Sequence, residues 1–125
     1  MGYRSNVCVI FYALKEEDWP VIKLFVEENF PVKEGDYELF TKTEHPERCM
    51  LEYRADDVKW YSGYESVQAT ERVIAKFEEL FDSEDSEFSG GCEFARIGEE
   101  PDDYEHSGSP TSDYFLGISR EFYIA

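Results

Sequence analysis

The sequence predicts one α+β domain over residues 1–125, in which an antiparallel sheet carries two helices on one face. The length of 125 residues suits one domain with a single core. Apolar residues make up 42% of the chain and aromatic residues 17%, too much for a disordered acidic tail. The hydrophobic patterns run β-α-β-β-α-β-β, and the first six elements predict the ferredoxin-like split βαβ arrangement. The same elements in another strand order are the alternative.

The first strand is predicted over residues 7–13, because an unbroken apolar run is typical of a central strand covered on both faces. A helix is predicted over residues 16–30, with acidic residues in the first turn, where the helix dipole favours them. Pro20 is tolerated in that turn, and Pro31 ends the helix. The apolar residues recur at steps of three and four: Trp19, Ile22, Phe25, Val26 and Phe30.

Two alternating segments, residues 37–44 and 48–54, predict a β-hairpin that follows a turn at Gly35-Asp36. Ser62 and Glu65 have the spacing of a capping box, which predicts that the second helix begins there and runs to about Phe81. Its apolar stripe comprises Val67, Thr70, Ile74, Phe77 and Phe81, widened by Val73 and Leu80.

The last two strands are predicted over residues 91–97 and 114–125. Two polar, acidic segments, residues 82–87 and 98–113, precede and follow the first of these strands and are predicted to be loops. The C-terminal strand is expected to pair with the 91–97 strand. In the split βαβ order the 91–97 strand lies at an edge of the sheet, so both acidic loops emerge near its ends.

The net charge of −17 arises from 29 acidic and 12 basic residues and argues against direct binding to nucleic acid or an anionic membrane. Residues 1–64 carry 13 acids and 8 bases, net −5, so residues 65–125 carry −12. One base, Arg96, lies within residues 82–105. The ten acids of that segment are Asp82, Glu84, Asp85, Glu87, Glu93, Glu99, Glu100, Asp102, Asp103 and Glu105.

Three interpretations of this concentration of charge remain open. It is a solvated surface that keeps an aromatic-rich protein in solution, or it recognises a basic surface on a partner, including one that normally binds the phosphates of DNA. The third interpretation is a calcium site within residues 99–105, although the spacing and central glycine of an EF-hand are missing.

Aromatic residues gather at the corner between the predicted hairpin and the second helix. Trp60, Tyr61 and Tyr64 either close the hairpin onto this helix or form an exposed anchor, since Trp and Tyr are enriched in binding hot spots.

Residues suited to catalysis or metal binding form no recognisable motif. Cys8, Cys49 and Cys92 include no CxxC pair and are expected to be buried, reduced thiols of a cytosolic protein. His45 and His106 are expected in separate solvated loops. Without a phosphate-binding loop or a nucleophile–base set, the chain is predicted to be no enzyme and to hold no cofactor and no metal.

Two segments carry a resemblance: residues 1–7, MGYRSNV, and residues 94–100, FARIGEE, followed by Asp102 and Asp103. Together with the corner at residues 58–61, they resemble small uncharacterised acidic proteins encoded by bacteriophages, over about a quarter of the chain. The resemblance implies a phage-type protein in the host bacterial cytoplasm. Such proteins are often inhibitors of host enzymes or defence systems, and several imitate DNA.

These observations lead to the hypothesis of a non-enzymatic interaction protein, monomeric or homodimeric, that binds the basic surface of a bacterial protein. One alternative is a ligand- or metal-binding protein or enzyme using Asp102, Asp103 and His106. Another is a phage structural or assembly component that pairs through an edge strand at residues 92–97. The longest apolar run has eight residues, so no membrane span is expected. The predicted partner-binding residues are Asp82, Glu84, Asp85, Glu87, Glu99, Glu100, Asp102, Asp103, Glu105, Trp60 and Tyr61.

Overall fold

A five-stranded antiparallel sheet forms the centre of the molecule, in a computed structural model that describes residues 3–34, 37–61, 63–83, 86–100, 103–108, 116–119 and 121–124. Its strands are β1 (Ser5–Ala13), β4 (Thr41–His45), β5 (Met50–Val58), β6 (Gly90–Gly98) and β7 (Tyr104–Gly108). The spatial order is β4-β5-β1-β6-β7, and each neighbouring pair is antiparallel. The first four of these strands have the ferredoxin-like split βαβ order, which confirms the predicted fold class.

Both helices form where the hydrophobic periodicity predicts them. A 3₁₀ turn at Glu16–Asp18 leads into α1 (Trp19–Asn29), and α2 comprises Glu65–Phe81. The predicted capping box is wrong, because Tyr64 is the N-cap of α2 and makes no side-chain capping bond. Glu65 instead accepts a hydrogen bond from Arg72 at 2.7 Å. Ser62 lies outside the described residues, as does the predicted turn at Gly35-Asp36.

The segment predicted as one strand over residues 37–44 divides into two. β2 (Lys33–Glu34) pairs with β3 (Tyr37–Glu38) in a separate small sheet, and the main sheet resumes only at β4. The backbone N–H groups of Leu39 and Phe40 both donate to the carbonyl of Val32. The chain therefore turns between β3 and β4, and the side chain of Phe40 is buried in the core.

The polar segment over residues 98–113 was predicted to be a loop, and this prediction is wrong over β7. β7 pairs with β6, so β6 is an inner strand of the sheet. The alternative of an assembly component requires a free edge at residues 92–97, and β7 occupies that edge. The described C-terminal residues, 116–119 and 121–124, do not pair with β6. They form a third sheet in which β8 (Leu116–Ser119) pairs with β9 (Glu121–Ile124).

The main core lies between the sheet and the helices. Val7, Val9 and Phe11 of β1 face Ile22 of α1 and Phe77 of α2. Most of the predicted helical stripes are buried, whereas Leu80 is exposed and Ile74 half-buried. Ring contacts link the layers, with Phe11 and Phe77 centroids 5.0 Å apart and a stack of Phe30 on Tyr53 at 4.0 Å.

The other face of the sheet is buried at its centre as well. Cys8, Ile10 and Tyr12 alternate with the main-core residues of β1, and they pack with Met50 and Ala95 in a second cluster. This burial on both faces confirms that β1 is the central covered strand that its apolar run predicts.

Candidate partner-binding site at one end of the sheet

A cleft of about 380 Å³ opens at the end of the sheet where β1 begins and where β5 and β6 finish. The first turns of α2 and the β6–β7 hairpin complete its walls, so five parts of the fold meet there. The lining residues are aromatic, charged or small: Tyr3, Ser5, Trp60, Tyr61, Val67, Glu71, Arg96, Asp103 and Glu105.

Arg96 is the only base among the described residues that line this cleft, and its side chain is 12% exposed. Its guanidinium donates to both carboxylate oxygens of Asp103, at 2.7 and 3.2 Å, in the bidentate geometry that favours Arg–carboxylate pairs. It also donates to Ser5 Oγ at 3.1 Å and to Glu105 Oε1 at 3.2 Å. The hydrogen bonds of Arg96 thereby join β1, β6 and β7.

Asp103 is held in place from three sides. Besides Arg96, the hydroxyl of Tyr3 donates to Asp103 Oδ2 at 2.5 Å, and the Asp103 carbonyl accepts from the Gly98 N–H at 2.7 Å. The guanidinium of Arg96, followed by the Tyr3 hydroxyl, lowers the pKa of the Asp103 carboxyl below its usual range. The negative charge of Asp103 is therefore balanced within the protein, although the sequence analysis predicts that Asp103 binds a partner.

The aromatic wall of the cleft combines a packed ring with exposed ones. Trp60 packs on the main core, with Phe94 at 6.2 Å and Phe40 at 6.0 Å between centroids. Tyr61 is 36% exposed, lies 5.2 Å from Tyr64 edge-to-face, and donates its hydroxyl hydrogen to the Tyr3 carbonyl. The corner thus has both predicted properties, because Trp60 closes it and Tyr61 and Tyr64 face solvent.

The described acids of the two acidic segments lie at opposite ends of β6. Asp82 and Glu87 precede its start, and Glu99, Glu100, Asp103 and Glu105 follow its other end. β6 has nine residues, so these ends are about 26 Å apart. Asp82 is half-buried and Glu87 is exposed at the far end, while Glu99, Glu100 and Glu105 are exposed beside the cleft. Glu84, Asp85 and Asp102 lie outside the described residues.

We name the cleft end of the sheet the acidic end. We define it by ten charged residues that the structure describes: Asp56, Asp57, Glu71, Glu99, Glu100, Asp103 and Glu105, with the bases Arg4, Lys59 and Arg96. Seven carboxylates and three bases give these residues a net charge of −4. Asp57 adopts a positive φ of 55°, where a bulge interrupts the pairing of β5 with β1, and its N–H donates to Asn6 Oδ1. The bulge leaves Asp56 and Asp57 exposed at this end.

Both histidines lie on strands rather than in solvated loops, which corrects that prediction. His45 Nε2 is 2.7 Å from Oε1 of Glu52, a carboxylate that also pairs with Arg54. His106 Nε2 is 3.4 Å from Oε1 of Glu93. Glu52 and Glu93 are only 6% and 1% exposed and lie opposite Ile10 on its two sides.

Sequence reasoning missed these buried carboxylates, although a signal existed. Glu52 and Glu93 alternate with apolar residues, a pattern that places them on the solvated face of an ordinary antiparallel sheet. They lie beside a strand predicted to be covered on both faces, and a polar residue opposite such a strand is buried and needs a partner. The histidines of the two outer strands provide these partners.

The side chains considered for a metal site or a nucleophile lie apart from one another in the described part of the chain. No group of three or more His, Cys, Asp or Glu side chains is placed to hold a metal ion within the described part of the chain. Asp103 contacts Arg96 on the helix-covered face, whereas His106 contacts Glu93 and belongs to the other face. Burial raises the pKa of the Cys8 thiol to about 12 and also raises the pKa of Cys92, so both thiols keep their protons at neutral pH.

Within the described ranges, neither helix has the length and apolar content needed to cross a membrane. In comparisons with known proteins, no family model, no curated protein and no solved structure matches this chain. The fold and the cleft therefore define its class on their own, as an acidic α+β domain with a mixed aromatic and carboxylate cleft at one end.

Proposed function

We propose that this chain is a non-enzymatic interaction protein that binds a basic surface of a bacterial host or defence protein, such as a surface that normally binds nucleic acid. As a phage-type inhibitor, it would act in the host cytoplasm. The observation that carries the proposal is the acidic end, which combines seven carboxylates and three bases with a cleft lined by Trp60 and the exposed Tyr61. Carboxylates on a folded scaffold can occupy the Lys and Arg sites that normally hold phosphates.

The distribution of ion pairs supports this proposal. In the described part of the chain, the basic side chains that contact a carboxylate include Lys23, Lys42, Arg54, Arg72, Lys76 and Arg96. The net charge of −17 is the excess of carboxylates that remains after all 12 bases are counted against the 29 acids. The carboxylates in excess repel anions and attract cations over the Debye length of about 8–10 Å.

The structure also changes which residues test the proposal. Reversing the charge of Asp103 would break its contacts with Arg96 and Tyr3, so lost binding would not separate recognition from local disruption. Glu99 and Glu100 lie in the exposed turn before β7, and neither side chain takes part in the Arg96–Asp103 pair. Glu99→Lys does remove the hydrogen bond that the Glu99 carboxylate accepts from the Arg4 N–H at 3.1 Å.

The experiment uses immobilised protein to capture partners from a bacterial lysate at low and at high salt, followed by measurement of the affinity of the purified partner. We expect Glu99→Lys/Glu100→Lys to lower the affinity about 100-fold at low salt, because close charge pairs across an interface contribute several kcal/mol in favourable cases. Wild-type affinity should fall steeply with added salt.

Two further variants each reverse two acids elsewhere in the chain. Asp82→Lys/Glu87→Lys acts at the far end of β6, where the sequence also predicts partner contacts. Glu17→Lys/Glu47→Lys acts on exposed residues of the 3₁₀ turn before α1 and of the β4–β5 turn, and it is the matched control for the change in total charge. The control for total charge should lower the partner affinity only slightly, because it weakens the long-range electrostatic attraction and changes no residue of the acidic end. A partner affinity that is independent of salt, or equal losses in all three variants, would contradict recognition through the acidic end.

A further inference from the structure

The cleft at the acidic end has the composition of a receptor for one cationic side chain. Its lining holds three carboxylates, those of Glu71, Asp103 and Glu105, against the single guanidinium of Arg96, which leaves a net charge of −2. We propose that this cleft binds the guanidinium of an arginine presented by the partner. This inference rests on the proposed function and names the group that is recognised at its centre.

The charge that an incoming cation would meet comes from two of these carboxylates. Asp103 is committed to Arg96 and Tyr3, whereas Glu105 is 59% exposed and contacts Arg96 through one oxygen only. Glu71 is exposed on α2, one turn after Val67, and makes no ion pair within the described part of the chain. Glu71 and Glu105 therefore approach the cleft from two different elements with charge left to satisfy.

The aromatic lining favours a planar cation over a compact one. Trp60 and Tyr61 both line the cleft, and a guanidinium gains from contact with the face of such rings while it donates to carboxylates in its own plane. A lysine ammonium is more strongly hydrated and lacks the planar donor set, so it gains less in the same place. The rings also provide apolar surface for the methylene groups of the arginine stem.

The cleft is large enough to admit one side chain, and its walls are held in place by the surrounding structure. Its volume of about 380 Å³ is near the lower end of the range of about 300–1,000 Å³ typical of small-molecule pockets. The packing of Trp60 against Phe94 and Phe40 holds one wall in place. The hydrogen bonds of Arg96 to Ser5 and Asp103 hold the floor, so the cleft exists before a ligand arrives.

The test is an NMR titration of the ¹⁵N-labelled full chain with N-acetyl-arginine-N-methylamide. The chain has two tryptophans, Trp19 and Trp60, so the indole N–H of Trp60 reports on the cleft while that of the buried Trp19 is an internal control. We expect a saturable shift of the Trp60 signal at millimolar probe and none at Trp19. The citrulline analogue, which has nearly the same shape without the charge, should give no saturable shift.

Three variants separate the cleft from general charge attraction. Glu71→Gln and Glu105→Gln should each weaken binding of the arginine probe about threefold, the size expected for one exposed charge pair. Glu47→Gln removes the same charge in the turn between β4 and β5, at the opposite end of the sheet, and should leave the affinity unchanged.

Several results would overturn this inference. If the citrulline analogue binds as tightly as the arginine probe, charge does not drive binding. If the lysine analogue binds as tightly, the cleft does not select a guanidinium. If Glu71→Gln and Glu105→Gln bind the arginine probe with unchanged affinity, the cleft carboxylates do not recognise it. If the arginine probe fails while partner binding still depends on Glu99 and Glu100, the cleft inference is wrong and the proposed function stands.

Discussion

Arg96 connects several residues at the acidic end, because one guanidinium reaches Ser5, Asp103 and Glu105. A nearly buried charge is tolerated there because the two carboxylates and the hydroxyl replace the water that it loses. Removing it leaves both carboxylates without their cation, in a region that already has excess negative charge.

We expect Arg96→Met to lower the free energy of unfolding by about 2 kcal/mol, the usual size for lost hydrogen bonds to charged groups. Arg72→Met is the matched control, because Arg72 pairs with Glu65 on an exposed helix surface and should cost less than about 0.5 kcal/mol. Urea denaturation of both variants measures the difference. Equal losses would show that the Arg96 contacts add no more than a surface ion pair.

The buried Cys8 thiol makes stability depend on pH in the alkaline range. Burial raises its pKa from 9.0 to about 12, so the unfolded chain releases this proton at a lower pH than the folded protein does. The contribution of the thiol is complete below pH 9 and is lost as the pH rises from there toward 12, by up to about 1.4 kcal/mol per pH unit.

Urea denaturation between pH 8 and pH 11 should therefore show a decline for the wild type that is less steep for Cys8→Ala. The cavity left by this substitution lowers stability at every pH, so only the slope reports the thiol. Burial also raises the pKa values of Cys92 and Tyr53, so the stability of the Cys8→Ala variant should still decline to some extent with pH. Identical slopes would mean that Cys8 does not hold its proton more tightly in the folded protein.

At the scale of elements, the β6–β7 hairpin creates the site, and its turn depends on Gly98. A Cβ atom at Gly98 would collide with the Asp103 carboxylate and lie 2.5 Å from the Tyr3 hydroxyl oxygen. The Gly98 N–H also donates to the Asp103 carbonyl, which closes the turn. The absence of a side chain at this position allows Asp103 to approach the sheet and meet Arg96.

Gly98→Ala should therefore displace Asp103 and weaken the hairpin, with a loss of about 1–3 kcal/mol typical of overpacking. Gly63→Ala is the matched control, since a Cβ atom there meets nothing within 4 Å. The amide signals of Arg96 and Glu105 should shift in Gly98→Ala and remain in place in Gly63→Ala. Unperturbed signals in Gly98→Ala would show that the turn accepts a side chain.

Most elements could be predicted because their patterns are local. The apolar run of β1 and the periodic stripes of α1 and α2 specify strand and helix through spacing alone. β7 could not be predicted in this way, since its sequence Tyr104–Gly108 is polar and has no apolar alternation. It forms because the turn at Gly98 and the Arg96 contacts bring it beside β6.

At the scale of the whole molecule, the net charge of −17 repels itself in the folded state. Salt screens this repulsion and should raise the melting temperature, by about 5 °C if the repulsion costs about 1 kcal/mol in a domain of this size. Thermal denaturation from low to physiological salt measures the effect. A melting temperature that falls with salt would show that the internal ion pairs outweigh the repulsion.

The sequence by itself determined the α+β class, the two helices, the central strand and the excess of acid, because these follow from composition and from the spacing of residues near each other in the chain. Only the tertiary structure decided that the described acids of the two segments lie at opposite ends of β6, about 26 Å apart, that Asp103 is paired with Arg96, and that both histidines meet buried carboxylates. The physical reason is that the strength of an electrostatic interaction depends on the distance between two groups in space and not on their separation along the chain. Strand pairing brings together residues such as Tyr3 and Asp103, whose separation along the chain leaves no pattern in the sequence.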